Sequence, residues 1–223
     1  VAQSLTGTEG LAYTDVDDPV SPDAVVIDVG AAGVCFPDLL LLRGEYQLRL
    51  EPPFTPGLEV AGTVRSAPAE SGFSAGQRVS AFTMLGGYAE QVAVAPSSVV
   101  PTPEGIDDAS AAALLGNYYT MYFGLERRGG LRSGETVLVL GSAGGVGTAA
   151  IQIAKAMGAY VIAMVHREGA EDFLTSLGAD VVLPLNDGWA QAGRDHTEGR
   201  GVDLVVDPIG GPACDDAIRV LAT

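Results

Sequence analysis

Residues 136–160 read TVLVLGSAGGVGTAAIQIAKAMGAY, and their order decides the fold. Thr136 to Leu140 is a short, continuous apolar run, as expected of a strand buried on both faces. The glycine-rich turn GSAGGVG, Gly141 to Gly147, follows it directly. Thr148 to Met157 then carries small and apolar residues at helical spacing, and Gly158 closes that helix. A glycine loop is informative only between a strand and a helix, which is where this one lies. It reads G-x-x-G-x-x-G, because Ala143 holds the place of the second glycine in G-x-G-x-x-G. Gly141 suits the tight turn, Gly144 or Gly145 lets backbone approach a pyrophosphate, and Gly147 allows close packing of helix on sheet. The helix beginning at Thr148 would turn its free N–H groups and positive dipole end toward the phosphates. Ala143, Gly144, Gly145 and Val146 are therefore candidate cofactor-binding residues.

Toward the C-terminus the alternation continues. Tyr160 to Val165 is the next strand, a helix spans Glu171 to Leu177 and ends at Gly178, and Asp180 to Leu183 and Asp203 to Val206 supply two more strands. Apolar strands alternating with helices predict a parallel sheet covered on both faces. A complete dinucleotide-binding sheet has about six strands. The four that can be placed predict an incomplete sheet and a chain that is part of something longer. The second strand ends Met164-Val165-His166-Arg167, with no carboxylate to accept a ribose 2′-hydroxyl. Arg167 can instead pair with a 2′-phosphate through its planar fork, assisted by His166, which favours NADPH. The alternative is a surface arginine paired with Glu168 or Glu171.

Toward the N-terminus the grammar is different. Ala24 to Val29, Glu59 to Val64, Gln77 to Phe82 and Gly87 to Val94 are short extended segments separated by Pro and Gly, as in a small barrel or sandwich. Cys35 to Leu42 is a candidate short helix. Pro101-Thr102-Pro103-Glu104-Gly105 marks a boundary. Beyond it, Asp107 or Asp108 can cap a helix from Ala109 to about Arg127. The predicted domains are thus 1–105, β-rich, and 106–223, an α/β domain.

Composition narrows the function classes. The net charge of −16 with 12 Lys plus Arg makes a nucleic-acid partner a poor expectation. No apolar run is long enough to span a membrane, and no secretory signal is visible at Val1. The two cysteines, Cys35 and Cys214, lie too far apart in sequence to suggest a disulfide framework, so a cytoplasmic location is expected.

Residues 31–64, AAGVCFPDLLLLRGEYQLRLEPPFTPGLEVAGTV, together with the glycine loop, resemble the zinc-free quinone oxidoreductase branch of the medium-chain dehydrogenase/reductase superfamily, which includes ζ-crystallin-like proteins. Gly86 to Gln91 (GGYAEQ), Ala111 to Leu125 and Gly199 to Gly211 extend the resemblance along nearly the whole chain. It implies a GroES-like N-terminal domain, a Rossmann-type second domain, and hydride transfer from NADPH to a quinone or other conjugated carbonyl. An enoyl or enoyl-thioester reductase is the alternative enzyme, and a non-catalytic NADPH-binding protein the alternative of another class. A homodimer is implied for the full-length protein.

The resemblance also assigns residues. In the alcohol dehydrogenase branch a cysteine at position 35 would ligate zinc, but Leu58 and Gly116 stand where the other ligands would be, so no metal is expected. In the quinone reductase branch that position is usually asparagine, which leaves Cys35 as a pocket-lining thiol or a modifiable one. Asp38 and Tyr46 match residues at the active-site cleft. Tyr46 is the candidate substrate-side donor, and Asp38 is equally a helix cap or buried hydrogen-bond partner. Thr120 matches a position near the nicotinamide carboxamide, and Ile209 would touch the nicotinamide side; Asn117, one helical turn before Thr120, is like it a polar residue in an otherwise apolar helix, which favours a lining role for both.

Overall fold

The structure, a computed structural model, describes residues 1–166 and 168–222. The chain divides into two compact units, Val1–Gly116 and Asn117–Thr223.

The first unit is built on an antiparallel sheet. Its strands are β1 (Val25–Ala32), β2 (Glu59–Ser66), β3 (Arg78–Phe82), β4 (Gln91–Val94) and β5 (Val99–Pro101), in the order β4-β1-β2-β3-β5. Alternate residues point inward, so Val25, Ile27, Val60, Val64, Val79 and Val92 meet in one buried cluster. β1 runs three residues past the expected end at Val29, pairing Ala31 and Ala32 with Ala61 and Val60 across a register shift. β4 begins at Gln91 rather than Gly87, because the preceding backbone is bound elsewhere. The N–H groups of Gly86, Gly87 and Tyr88 donate to the carbonyls of Thr55, Gly57 and Pro56. That loop-to-loop pairing carries Tyr88 to the start of β2.

Two short helices complete this unit, α1 (Phe36–Leu42) and α2 (Asp108–Ala111). Asp107 caps α2, accepting the Ser110 N–H at 2.7 Å. Residues 106–116 pack with the first unit, eleven residues beyond the boundary expected at 105. Asp108 pairs with Arg78 of β3, and Gly116 donates its N–H to Glu59 of β2 at 2.8 Å. These bonds hold the segment to the β-sheet that precedes it.

The single helix expected from Ala109 to Arg127 is interrupted. After α2 the chain makes wide, π-helical turns at Leu115–Tyr119 and Phe123–Arg128, with one α-helical turn, α3 (Thr120–Tyr122), between them. At the first of these turns the Glu59 carboxylate accepts the Gly116 N–H. Such widened turns recur at functional sites.

The second unit continues with β6 (Thr136–Val139), α4 (Gly145–Ala156), β7 (Tyr160–Val165), α5 (Glu171–Ser176), β8 (Val181–Pro184), α6 (Trp189–Asp195), β9 (Leu204–Val206) and α7 (Pro212–Val220). All four strands are parallel, in the order β8-β7-β6-β9. Both faces are buried, which explains the unbroken apolar strands. Val137 and Val139 pack with Ile151, Val161 and Leu174, while Leu138 and Leu140 pack with Ile162, Met164 and Trp189. The order is that of the first mononucleotide-binding half of a doubly wound sheet plus its crossover strand. Among the described residues, no helix is long and apolar enough to cross a membrane.

Candidate functional site

In the second unit the glycine loop leaves β6 and enters α4 through a backbone that only glycine tolerates at two points. Gly141 has φ of +60°, and a Cβ on Gly147 would strike the Gly141 carbonyl and lie 2.6 Å from Ser142 Cα. Ser142 is fully buried beneath the loop. Its hydroxyl donates to the Val139 carbonyl at 2.8 Å and accepts the Met164 N–H at 2.9 Å. Above it Ala143, Gly144 and Gly145 are exposed, and Gly144 starts α4 without any side chain to cap its first turn. The result is a rigidly seated, outward-facing helix N-terminus, the geometry of an anion cradle.

Three more of the expected cofactor residues lie around this cradle. Ile209 packs on Gly141, within 3.1 Å of where a Cβ would be, and the Asn117 amide stands 2.7 Å from the corresponding point on Gly145. The loop carrying Ile209 is shaped by Asp207, whose Oδ1 accepts the N–H groups of both Ile209 and Gly210 at 2.9 Å. Thr120 and Val146 line a pocket of about 390 Å³ that also touches Val206 and Pro208 at the end of β9. His166 is exposed just past β7. Arg167 lies outside the described residues.

In the first unit a second cluster forms around Cys35, at the entry to α1. Asp38, 2% exposed, accepts the Cys35 N–H at 2.9 Å through one oxygen and the Gly57 N–H at 3.1 Å through the other. Glu59, 1% exposed, accepts the Cys35 thiol at 3.0 Å and the Gly116 N–H at 2.8 Å. The Tyr88 hydroxyl is buried nearby and makes no hydrogen bond of good geometry. Burial raises the pKa of Asp38 against the opposing pull of its hydrogen-bond donors, and burial followed by the Asp38 charge raises that of Tyr88. Burial, then the Glu59 hydrogen bond and charge, push Cys35 up to about 12.

Residues 21–104 match the family described as alcohol dehydrogenase GroES-like domain, and residues 145–223 the family described as zinc-binding dehydrogenase. A probable oxidoreductase from Mycobacterium abscessus superposes with a TM-score of 0.94 at 64% identity, over 100% of this chain and 71% of that one. The quinone oxidoreductase of Thermus thermophilus, solved also with NADPH, superposes with a TM-score of 0.85 at 35% identity, over 99% of this chain and 69% of that one. The quinone oxidoreductase of Sus scrofa is 34% identical over 94% of this chain and 61% of its own length. The chain belongs to the medium-chain dehydrogenase/reductase superfamily, in its quinone oxidoreductase branch. It spans about three-fifths of the pig relative. Acryloyl-coenzyme A reductase of Sulfurisphaera tokodaii is also similar, 30% identical over 96% of this chain and 71% of that protein.

Against this dehydrogenase/reductase framework, sequence reasoning had not singled out Glu59, Tyr88 or Ser142. A carboxylate inside the apolar run Leu58–Ala61 was the one visible signal for Glu59. Tyr46 is half-buried in the loop after α1, and no hydrogen bond joins it to Cys35, Asp38 or Glu59. Glu59 is thus a member of the hydrogen-bonded cluster, and Tyr46 is not bonded to it.

Proposed function

We propose that this chain binds NADPH on the Gly141–Gly147 loop and is part of an enzyme that reduces quinones or other conjugated carbonyl compounds without a metal. The observation that carries the reading is the outward-facing, uncapped start of α4, seated on Ser142 beneath an exposed glycine backbone. Likeness to the NADPH-binding Thermus quinone oxidoreductase supports it.

The residues present fit such a cofactor. The first-turn N–H groups of α4 would take the pyrophosphate, Asn117 and Thr120 would lie toward the nicotinamide, and Ile209 would pack against it. His166 and Arg167 would meet the 2′-phosphate. When bound, NADPH supplies a hydride from C4 of its nicotinamide. Val146 and Ile209 give that region apolar walls, which keep water from the reacting atoms. Tyr46 is the proposed donor of the balancing proton, with water as the alternative source.

The donor set does not fit a catalytic zinc. Both oxygens of Asp38 and of Glu59 are engaged with backbone N–H groups or the Cys35 thiol. Leu58, buried in the core, and Gly116 offer no ligand. An acceptor that is already electron-poor does not need a metal.

A second reading, reduction of an enoyl thioester, is favoured by the similarity to acryloyl-coenzyme A reductase. Consumption of NADPH with a panel of quinones and a panel of enoyl thioesters separates the two. Tight NADPH binding with no turnover on either panel would overturn both. Arg167→Ala is expected to weaken NADPH by about tenfold or more while leaving NADH unchanged; an equal loss for both would overturn the 2′-phosphate assignment.

A further inference from the structure

The partly exposed thiol of Cys35 and the buried carboxylate of Glu59 are paired across 3.0 Å, and the surrounding backbone is shaped to admit that carboxylate. A Cβ on Gly33 would come within 2.7 Å of the Glu59 side chain, and one on Gly116 within 3.3 Å of its Oε1. Two glycines from different segments thus make room for one carboxylate. The Gly33 N–H also donates to the Glu59 carbonyl at 2.9 Å, fixing the backbone on both sides. The ionisable groups acting on Cys35 are Glu59 from β2 and Asp38 from α1, both acidic, and Tyr88 from the loop before β4 lies in the same cluster. Among the described residues, no cation pairs with Cys35, Asp38 or Glu59. A thiolate there would place a second negative charge against a buried first one.

We propose that Glu59 is a positioning residue that keeps Cys35 a neutral thiol, so that this unit can meet soft, electron-poor acceptors without being alkylated by them. The inference rests on the reading of conjugated carbonyls as substrates. The reaction it prevents is conjugate addition. In that reaction a thiolate sulfur gives its electron pair to the β-carbon of the acceptor, forming a C–S bond while the C=C π pair shifts toward the carbonyl oxygen. Water then supplies the proton that completes the adduct. With the proton held on sulfur by Glu59, the electron pair is not available.

The test uses the whole chain carrying Cys214→Ser, which leaves Cys35 as its one thiol. Reaction with N-ethylmaleimide and with p-benzoquinone is followed by intact mass over a range of pH. At neutral pH the native chain is expected to react at least about a hundredfold more slowly than the same chain unfolded in guanidinium. Its rate should still be climbing at about pH 10, where a free thiol with a pKa near 8.5 has levelled off. Glu59→Gln should raise the neutral-pH rate by about tenfold or more and move the levelling-off to lower pH. Levelling off near 8.5 in the chain with native Glu59 would overturn the proposal, and that measurement does not depend on the variant folding. So would a natively folded Glu59→Gln chain with an unchanged profile. Loss of the turnover reading would leave the thiol result standing, and rapid alkylation of an active chain would remove this proposal alone.

Discussion

Ser142 accepts a hydrogen bond from the Met164 N–H at 2.9 Å, which ties the glycine loop to the neighbouring strand from below. Its hydroxyl proton goes to the Val139 carbonyl, so one buried side chain satisfies a donor on β7 and an acceptor on β6. Ser142→Ala leaves both backbone groups without that partner in a dry interior. The expected loss is about 1–3 kcal/mol of stability by urea denaturation. NADPH should also bind less tightly, because the loop loses its fixed seat; full affinity with reduced stability would show that the seat matters only to the fold.

Two glycines of the same loop should behave oppositely. A methyl on Gly147 would be driven into the backbone of Gly141 and Ser142, so Gly147→Ala is expected to cost about 2–4 kcal/mol. At Gly144 φ is −83° and the nearest atom to an added Cβ is the Gly141 carbonyl oxygen, at 3.4 Å. Gly144→Ala should therefore stay within about 1 kcal/mol of the native stability. Its methyl nonetheless projects from the exposed face, where a pyrophosphate needs close backbone approach, and the NADPH affinity should fall. Denaturation and cofactor titration of the two variants check the contrast.

What could be read before the structure, and what could not, follows from the range of the forces involved. The Thr136–Met157 stretch announces itself because strand, turn and helix signals are adjacent in the chain. Bounds for α6 and α7 are not legible in the sequence, which shows only the sign of a helix-to-strand transition near Thr223. Trp189–Asp195 spans two turns with Gly193 inside it, and Pro212–Val220 opens on proline with two aspartates in its middle. Their burial against Leu138, Leu140 and Met164 is what holds them, and that is tertiary. The same applies to Glu59. Its burial depends on Gly116, 57 residues away, and on a glycine at 33 that leaves space, neither of which shows in local pattern. The break in the long helix expected after Asp107 is equally hidden, since it falls where Gly116 meets Glu59, a residue distant in sequence.

Acid stability should depend on a bridge at the other end of the parallel sheet. Asp203 accepts the Thr136 N–H at 2.8 Å, and its own N–H donates to the Thr136 carbonyl at 2.9 Å. Arg200 grips the same carboxylate at 2.6 and 2.9 Å, and that hydrogen bonding is the main cause of a lowered Asp203 pKa. A carboxyl whose folded pKa lies below its unfolded value contributes stability at pH above the unfolded value. That contribution is lost as pH falls through the folded one. Asp203→Asn should accordingly shrink the drop in denaturation midpoint between neutral pH and about pH 3. An identical drop in both proteins would mean that the bridge carries no linked proton.

The turn that presents Ile209 is shaped by one carboxylate oxygen. Asp207 Oδ1 accepts two successive N–H groups, from Ile209 and Gly210, and these bonds bend the chain back so that Ile209 rests on Gly141. Both Gly210 and Gly211 have positive φ, so little else in the turn holds its shape. Removing the acceptor with Asp207→Ala should leave the buried sheet intact, since Ile209 is about half exposed and outside the core clusters. The expected stability change is about 1 kcal/mol. Cofactor affinity should change more, because an apolar wall that must be ordered on binding gives less net affinity than one already in place. A rise of about tenfold in the NADPH Kd is expected for Asp207→Ala. Asp207→Asn keeps an oxygen in the accepting position and should restore most of that loss. If both variants bind NADPH like the native chain, the turn is scaffolding and Ile209 does not touch the cofactor.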